Sequence, residues 1–365
     1  MKVLHISTDY TYTKLYYELI SRLQNKGIEN IVYVPANIST KYEKKDNNEE
    51  YDVIFSKVYN TIDRFFFKKK EKKIYQDIIK KIDFSTVYQT HAHTLFSAGY
   101  ISYLLKKEFN IPYVVSVRST DVNVFFKYRK NLKNIGIKIL IEAEKVVCIS
   151  ERYRDILLKK YVPKKYKDKI KNKLVVIHNG IDRYWLENEP NRKIPSKECI
   201  NLVQTGVVRS GKNFLTTIKV VKKLNKLGIK AKLYAVGDGP LLETYRKKYA
   251  NEQIIFMGRM PKEQIKELYE KMDIFILPSK TETFGLVYAE AMSQGLPVLY
   301  TENEGFDKIF PDGDVGYPIK QKNVTDIIKK IELTKNNYEQ ISRNACKNSK
   351  IFNWDEIVEK FKVLY

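Results

Sequence analysis

Two glutamates, Glu282 and Glu290, flank a Phe284-Gly285-Leu286 turn in the stretch PSKTETFGLVYAEAMSQGLPVL, Pro278–Leu299. The apolar run MDIFIL precedes this stretch and LPVLY closes it, so the carboxylates stand between two segments that read as buried strands. GLVYAEAMSQG reads as a helix ending in a glycine C-cap at Gly295, with Gly285 where loop becomes helix. Unpaired amides at a helix N-terminus favour an anion such as phosphate. A carboxylate only accepts hydrogen bonds, so Glu282 before the turn and Glu290 two helical turns on suit the paired hydroxyls of a sugar or a ribose. The competing explanation is structural, with Glu282 capping the helix and Glu290 on a solvated face.

TGVVRSGKNF, Thr205–Phe214, sets Arg209 and Lys212 on a loop between a strand and a helix. Two cations there can clamp a diphosphate, Arg209 bidentately and Lys212 as a point charge. The glycines do not fit the phosphate-binding pattern G-x-x-x-x-G-K-[ST]. YQTHAHTLFSAG carries His91 and His93, two of the four histidines, at a strand end. A zinc pair would need further ligands, and no third is in evident register. One histidine donating to a phosphate or sugar is the better chemical use, and a capped core histidine the structural one.

The elements that must position these groups follow from periodicity. KVLHIS, NIVYVP, DVIFSK, STVYQTH, YVVSV, KVVCIS and LVVIHNG read as strands in the first half. INLVQTG, AKLYAVG, IIFMG, DIFILPS and LPVLY do so in the second. Helical stretches such as 15–26, 214–227, 241–249 and 262–271 alternate with them, which argues for βαβ units. Several strands are apolar on both faces, as in parallel sheets covered by helices. The expected fold is therefore α/β, two Rossmann-like doubly wound domains facing across a cleft, with ligands beyond the carboxyl ends of the strands. The seam is expected in the polar, proline-bearing WLENEPNRKIPSKEC, Trp185–Cys199.

The chain has 365 residues, 43% of them hydrophobic, which suits two folded domains. No uncharged apolar run reaches spanning length, and MKVLHIS enters a strand with no leader pattern, so a cytoplasmic protein is expected. Cys148, Cys199 and Cys346 are scattered and read as small buried thiols. The net charge is +23, with +16 in residues 1–185 and +7 in residues 186–365. The first half thus suits an anionic partner, whether nucleic acid, phospholipid or a phosphorylated substrate. A general richness in lysine is the competing explanation.

The motif E-T-F-G-L-V-x-x-E-A-M-x-x-G-L-P-V resembles the E-x7-E signature of the retaining family 4 glycosyltransferases of the GT-B fold. VVRSGKN, THAH, IHNGID (His178–Asp182), VGDGP (Val236–Pro240), FMGRM (Phe256–Met260) and the terminal FNWDEIVEKFKVLY resemble further family segments in the same order. The resemblance implies a first domain over 1–185 that binds acceptor, a second over 186–350 that binds a nucleotide sugar, and a helix over 351–365 that crosses back onto the first. It also implies a metal-independent hexosyltransferase-type reaction that needs no cofactor beyond the donor, a UDP-sugar above others. Arg209 and Lys212 would then hold the diphosphate, Glu290 the ribose, and Glu282 the transferred sugar. Phe284, Gly285 and Leu286 would supply amides, Gly258 and Arg259 would line the base pocket, and His93 would contact the sugar. His93 and Glu282 are the residues expected at the reaction itself. Preorganised cations and amides stabilise a diphosphate leaving group without a metal, and DGD at Asp312–Asp314 reads as a turn.

The sequence departs from the family in three places, the least of them Asp307 in GFDKIFPDGDVG, where a glutamate is common. No glycine occurs from Ser7 to Leu19, where the family has a Gly-Gly loop, so hydroxyls of Thr8, Thr11 or Thr13 are expected to serve. VRSTD places Arg118 where the family has histidine and keeps Asp121, which suggests an anionic or heavily hydroxylated acceptor, either a glycan or lipid-linked. DRFFFKKKEKK (Asp63–Lys73) and NVFFKYRKNLKN (Asn123–Asn134) mix aromatics with cations, as segments at an anionic membrane do. Peripheral contact with the inner face of the cell membrane, in surface-polysaccharide or glycoconjugate assembly, is the expectation. A non-hydrolysing UDP-sugar 2-epimerase is the enzymatic alternative, but the acid/base cluster it needs is missing. A nucleic-acid-binding protein would leave Glu282 and Glu290 unexplained and has no recognition motif, so no nucleic-acid partner is expected.

Overall fold

The computed structural model describes residues 1–40, 50–190, 195–196 and 198–365. The chain divides into two units, Met1–Asn179 with Trp354–Tyr365, and Gly180–Asn353.

In the first unit the strands are β1 (Lys2–Ile6), β2 (Asn30–Asn37), β3 (Asp52–Tyr59), β4 (Val87–Ala92), β5 (Tyr113–Val117), β6 (Lys145–Cys148) and β7 (Leu174–Val176). They pair in parallel in the order β3-β2-β1-β4-β5-β6-β7. The connecting helices are α1 (Leu15–Asn25), α2 (Phe67–Lys81), α3 (Ser97–Phe109), α4 (Lys133–Glu142), α5 (Glu151–Ile156) and α6 (Lys167–Lys171). The second unit begins with α7 (Arg183–Glu187) and continues with β8 (Ile200–Thr205), α8 (Phe214–Lys226), β9 (Ala231–Val236), α9 (Leu242–Tyr249), β10 (Ile254–Gly258) and α10 (Lys262–Glu270). Then come β11 (Ile274–Leu277), α11 (Leu286–Ser293), β12 (Val298–Thr301), β13 (Gly316–Ile319), α12 (Val324–Asn336) and α13 (Tyr338–Ser349). Its sheet is also parallel, ordered β10-β9-β8-β11-β12-β13.

Chain order reverses in each sheet between adjacent central strands: β1 beside β4, and β8 beside β11. Loops leaving such a pair part in opposite directions and open a crevice at the carboxyl edge. Each strand expected from sequence is present, and one was not foreseen. β13, GYPI, pairs with Val298–Thr301 and carries Pro318, which a sheet tolerates on an edge strand such as this.

The division falls at Asn179 to Gly180, earlier than the expected break after Trp185. Trp185 is buried and packs on Tyr269, ring centroids 5.8 Å apart, within the second unit. The chain returns to the first unit at Trp354 rather than residue 351, because Phe352 is buried against Phe284 in the second.

The returning segment forms α14 (Trp354–Lys362). Trp354, Ile357, Val358 and Phe361 share one face at helical spacing and join a cluster with Leu19 and Leu23 of α1 and Val114, Val147 and Ile177. Lys26 pairs with Glu359 at 2.9 Å at the rim of the same contact. Truncating the buried ring in Phe361→Ala is expected to cost about 3–5 kcal/mol. Urea unfolding should show it as a lowered midpoint at unchanged slope, and an unchanged midpoint would mean that α14 is not part of this core.

Candidate active site

In the second unit the loops after β8 and β11 meet at the crevice. Val208 N–H donates to the Asp238 carbonyl at 2.9 Å, and Leu241 N–H to that of Val208 at 3.0 Å. A Cβ at Gly237 would lie 2.0 Å from the Gly206 carbonyl oxygen, so only glycine lets the β8 and β9 loops touch. Gly237 N–H also donates to the carbonyl of Gly258, the last residue of β10, at 2.7 Å. Asn213, at φ 55°, donates its side-chain amide to the Pro278 carbonyl at 2.9 Å and starts α8. Lys280 N–H donates to the Gly211 carbonyl at 2.8 Å.

These contacts bring Lys212 Nζ to 2.5 Å from Glu282 Oε2. Ser279 Oγ donates to the same oxygen at 3.2 Å. The backbone of Glu282 is held as well: its N–H donates to Glu304 Oε2 at 2.8 Å, and its carbonyl accepts from Gly305 N–H at 2.9 Å. Gly285 sits at φ +78°, and a Cβ there would lie 2.6 Å from the Tyr288 ring. That sharp turn opens α11 with no side-chain cap, so first-turn amides of Leu286 and its successor are available to a ligand. Phe284 is buried beside Phe352 and Phe306 and can offer only its backbone.

Glu290, on the second turn of α11, is half-buried. Burial, aided by the Asp182 carboxylate, pushes its carboxyl up to about 7. Tyr269, whose charge state senses Glu290, bonds the Thr205 hydroxyl at 3.0 Å at the end of β8. Arg209 and Arg259 are exposed on the loops after β8 and β10. All these groups therefore occupy one carboxyl edge of one sheet.

In the first unit, His93 follows β4 and is fully buried, as are His91 and His5. His5 is the third histidine that sequence reading did not place. Parallel pairing of β1 with β4 sets it opposite His91, a register visible only once the strand order is known. Its neighbours fix its tautomer. Asn30 donates its Nδ2 to Gln24 Oε1 and the Ile28 carbonyl, so its Oδ1 must accept from His5 Nε2–H at 2.9 Å. His5 Nδ1 is then bare and accepts from His93 Nε2–H at 3.0 Å. His93 Nδ1 is left as a buried lone pair with no partner.

One ring nitrogen from each of the three histidines lies within 4.8 Å of the other two. The rings of His5 and His93 stack at 17° with centroids 5.2 Å apart, and those of His91 and His93 lie 4.1 Å apart. Ring N–H groups and lone pairs lie in the ring planes, so near-parallel rings joined edge to edge allow the His93 Nε2–H to His5 Nδ1 bond. Burial lowers the His5 pKa to about 4 and holds those of His91 and His93 well below the usual value.

Three residues expected on the acceptor side have structural partners. Asp121 is buried, and its carboxylate accepts N–H groups of Leu95, Phe96 and Arg118. It ties the loops after β4 and β5 together and is closed to an acceptor. Arg118 donates to the His93 carbonyl at 3.2 Å and to Asn179 Oδ1 at 3.3 Å, with its guanidinium 5.6 Å from the Tyr16 ring, so it braces the histidine strand. Thr13 caps α1 by accepting Leu15 N–H at 3.2 Å, whereas Thr8 and Thr11 line a cavity. The glycine-free loop needs no glycine, since none of its residues has positive φ.

The family model for Glycosyltransferase Family 4 matches residues 13–184, and that for Glycosyl transferases group 1 matches residues 186–351. The chain belongs to glycosyltransferase family 4. The enzyme is 26% identical over 290 residues to an uncharacterized glycosyltransferase of Methanocaldococcus jannaschii, covering 75% of this chain and 74% of that one. Sucrose-phosphate synthase from Thermosynechococcus elongatus superposes over 100% of this chain and 98% of its own, at TM-score 0.79 and 16% identity. The Anabaena protein HepE in complex with UDP superposes over 100% and 99%, at TM-score 0.72 and 15% identity. The fold of this glycosyltransferase is GT-B.

In ring-selective NMR spectra the imidazoles of His5, His91 and His93 are expected to keep neutral shifts from about pH 8 down to about pH 5.5, because burial has moved their titration below the ordinary value of about 6.5. A ring among them that titrates near 6.5 would show that the cluster opens to solvent.

Proposed function

We propose that the enzyme transfers a sugar, with retention of configuration, from a nucleoside diphosphate sugar to a hydroxyl of a glycan or lipid-linked acceptor. The observation that carries this is the Lys212–Glu282 pair, set by the crossing loops after β8 and β11 and 2.5 Å long, beside the uncapped turn at Gly285. A donor diphosphate competes with Glu282 for Lys212. Lys212 and Arg209 then neutralise the leaving group, with the first amides of α11. Glu282, so released, accepts from hydroxyls of the transferred sugar, and Glu290 from those of the ribose. Base contacts fall to the backbone at Gly258 and to Arg259. His93 Nδ1, bare but buried, would meet a substrate hydroxyl only if the loop after β4 opens. UDP is the favoured nucleotide, supported by the UDP complex of the Anabaena neighbour.

The acceptor end is read from the surface of the first unit. Phe65 and Phe66 are 73% and 60% exposed, while Phe67 is buried. Arg129 donates to the carbonyls of Phe65 and Arg64, which ties this segment to the one that carries exposed Val124 and Tyr128, and Lys68, Lys69, Lys127 and Lys130 belong to the same two segments. Exposed aromatics among lysines suit the interface of an anionic bilayer. Among the described residues no helix is long and apolar enough to cross a membrane, so contact would be peripheral. In bacterial surface-polysaccharide or glycoconjugate assembly, such contact would keep the enzyme near lipid-linked acceptors.

Thermal melting across UDP-, GDP-, ADP- and CMP-sugars tests the donor reading. A ligand at about 100 times its Kd stabilises the native state by about 2.7 kcal/mol, so one nucleotide should raise the melting temperature. In Arg209→Ala the loss of a charge-assisted bond, about 1.5–3 kcal/mol, should remove most of that rise. Equal shifts in both proteins would sink the clamp. Co-sedimentation with phosphatidylglycerol vesicles tests the surface: the wild type should pellet and Phe65→Ser/Phe66→Ser stay in solution, and equal pelleting would reject the patch.

A further inference from the structure

The first unit holds a cavity of about 280 Å³ beyond the carboxyl ends of β1, β2 and β3, walled by α2 and the first turn of α3. That volume is close to the lower end of those found for small-molecule sites. Three cations line it, Arg64, Lys70 and Arg129, together with aromatic walls from Tyr59, Phe67 and Phe125. Thr8, Thr11 and Asp9 line another part of it.

The arrangement around Lys70 is costly without a ligand. Lys70 is 9% exposed, and its Nζ reaches Glu71 Oε1 at 3.1 Å and Ser97 Oγ at 3.3 Å, over the Tyr59 ring at 4.8 Å. Glu71 is fully buried, and its other oxygen has no hydrogen-bond partner. An ion pair taken out of water is repaid only when its remaining bonds are made, and here one is missing. Burial pushes the Glu71 carboxyl up to about 7, against the pull of Lys70, so near neutrality the carboxylate does not fully cancel the lysine. The cavity keeps a surplus of positive charge. Arg129 uses part of its guanidinium on two carbonyls at 3.3 and 3.5 Å, which fixes its orientation and leaves further N–H groups free to donate.

A buried lysine flanked by two arginines is suited to a compact group of two negative charges, and arginine forks match phosphate. Asp9 with Thr8 and Thr11 is suited to hydroxyls. Aromatic faces are suited to the C–H surface of a sugar ring or polyol. We infer that this cavity binds the acceptor through a phosphate, held by Lys70, Arg64 and Arg129, with the acceptor's hydroxylated portion toward Thr8, Thr11 and Asp9. This rests on the transferase reading above and assigns the acceptor a class, a phosphorylated polyol or sugar. A soluble sugar phosphate and a phospholipid headgroup present the same chemistry.

Calorimetric titration of the full chain separates these sources. The probes are glucose 6-phosphate, glucose, and phosphatidylglycerol in nanodiscs beside phosphatidylcholine nanodiscs. Glucose 6-phosphate binding without glucose binding supports a soluble acceptor, and phosphatidylglycerol binding alone supports a headgroup. Either signal should weaken at least tenfold in Arg64→Gln, which alters an exposed side chain, and in Lys70→Met/Glu71→Gln, which removes the buried pair as a unit. UDP titration of the same variants should be unchanged, because Lys212 and Glu282 lie in the other unit. Equal binding of glucose and glucose 6-phosphate, no binding of any phosphate probe, or full binding by Arg64→Gln overturns the inference. A protein that binds the phosphate probe but no nucleotide sugar would keep the cavity and reject the transferase chemistry.

Discussion

A lysine and a glutamate bridging two loops hold the chemistry of the second unit together. Lys212 and Glu282 are 70 positions apart, and their 2.5 Å contact exists because β8 and β11 are neighbours in the sheet. Their side chains are only 16% and 10% exposed, so neither charge is comfortable alone. Removing one partner of a pair taken out of water costs about 3–5 kcal/mol. The backbone around the pair is committed to the same end. Glu304 and Gly305 fasten Glu282 from both sides of its peptide unit, and Gly285 turns away at once because no side chain fits against Tyr288. The cation thus rests beside a carboxylate.

How much of this was legible follows from how local each signal is. Strands of Val and Ile and amphipathic helices announce themselves within ten residues, and so does the Glu282–Gly285–Glu290 stretch. Features built by strand order do not. His5 meets His91 and His93 because β1 lies beside β4, although His91 is 86 positions further along the chain (91 − 5). Glu71 lies within a run of lysines on α2 that reads in sequence as part of a membrane-facing segment, and the burial of Lys70 and Glu71 shows only in the fold. Asp121 is expected at the acceptor only through the resemblance of VRSTD to a family segment, which carries no sign of its burial. Its three amide partners come from the turn beside it and from the loop after β4, and only folding brings them together. β13 was hidden by its own Gly316 and Pro318.

The buried ionisable groups of the first unit act on stability with opposite sign. The unfolded chain protonates its histidines below about pH 6.5, whereas folded His5 resists until about 4, and His91 and His93 are likewise shifted down. They make the native state lose stability as pH falls through that window. Burial raises folded Glu71 and Asp121 to about 7 and about 6, while the unfolded carboxyls release protons near about 4. These make the native state lose stability as pH rises over the same window. The two slopes offset each other.

The excursion of the chain through the second unit has a consequence for how the protein is made. Translation runs from the first residue onward, so the whole of Gly180–Asn353 leaves the ribosome before α14 does. The second unit is one continuous segment and can fold while synthesis proceeds. The first unit must wait with Leu19, Leu23, Val114, Val147 and Ile177 uncovered until Trp354–Lys362 arrives. At roughly 5–20 residues per second, that exposure lasts on the order of ten seconds or more. A nascent chain stalled in that interval presents a greasy seam of the kind chaperones seize, and the last helix is what ends its stay with them.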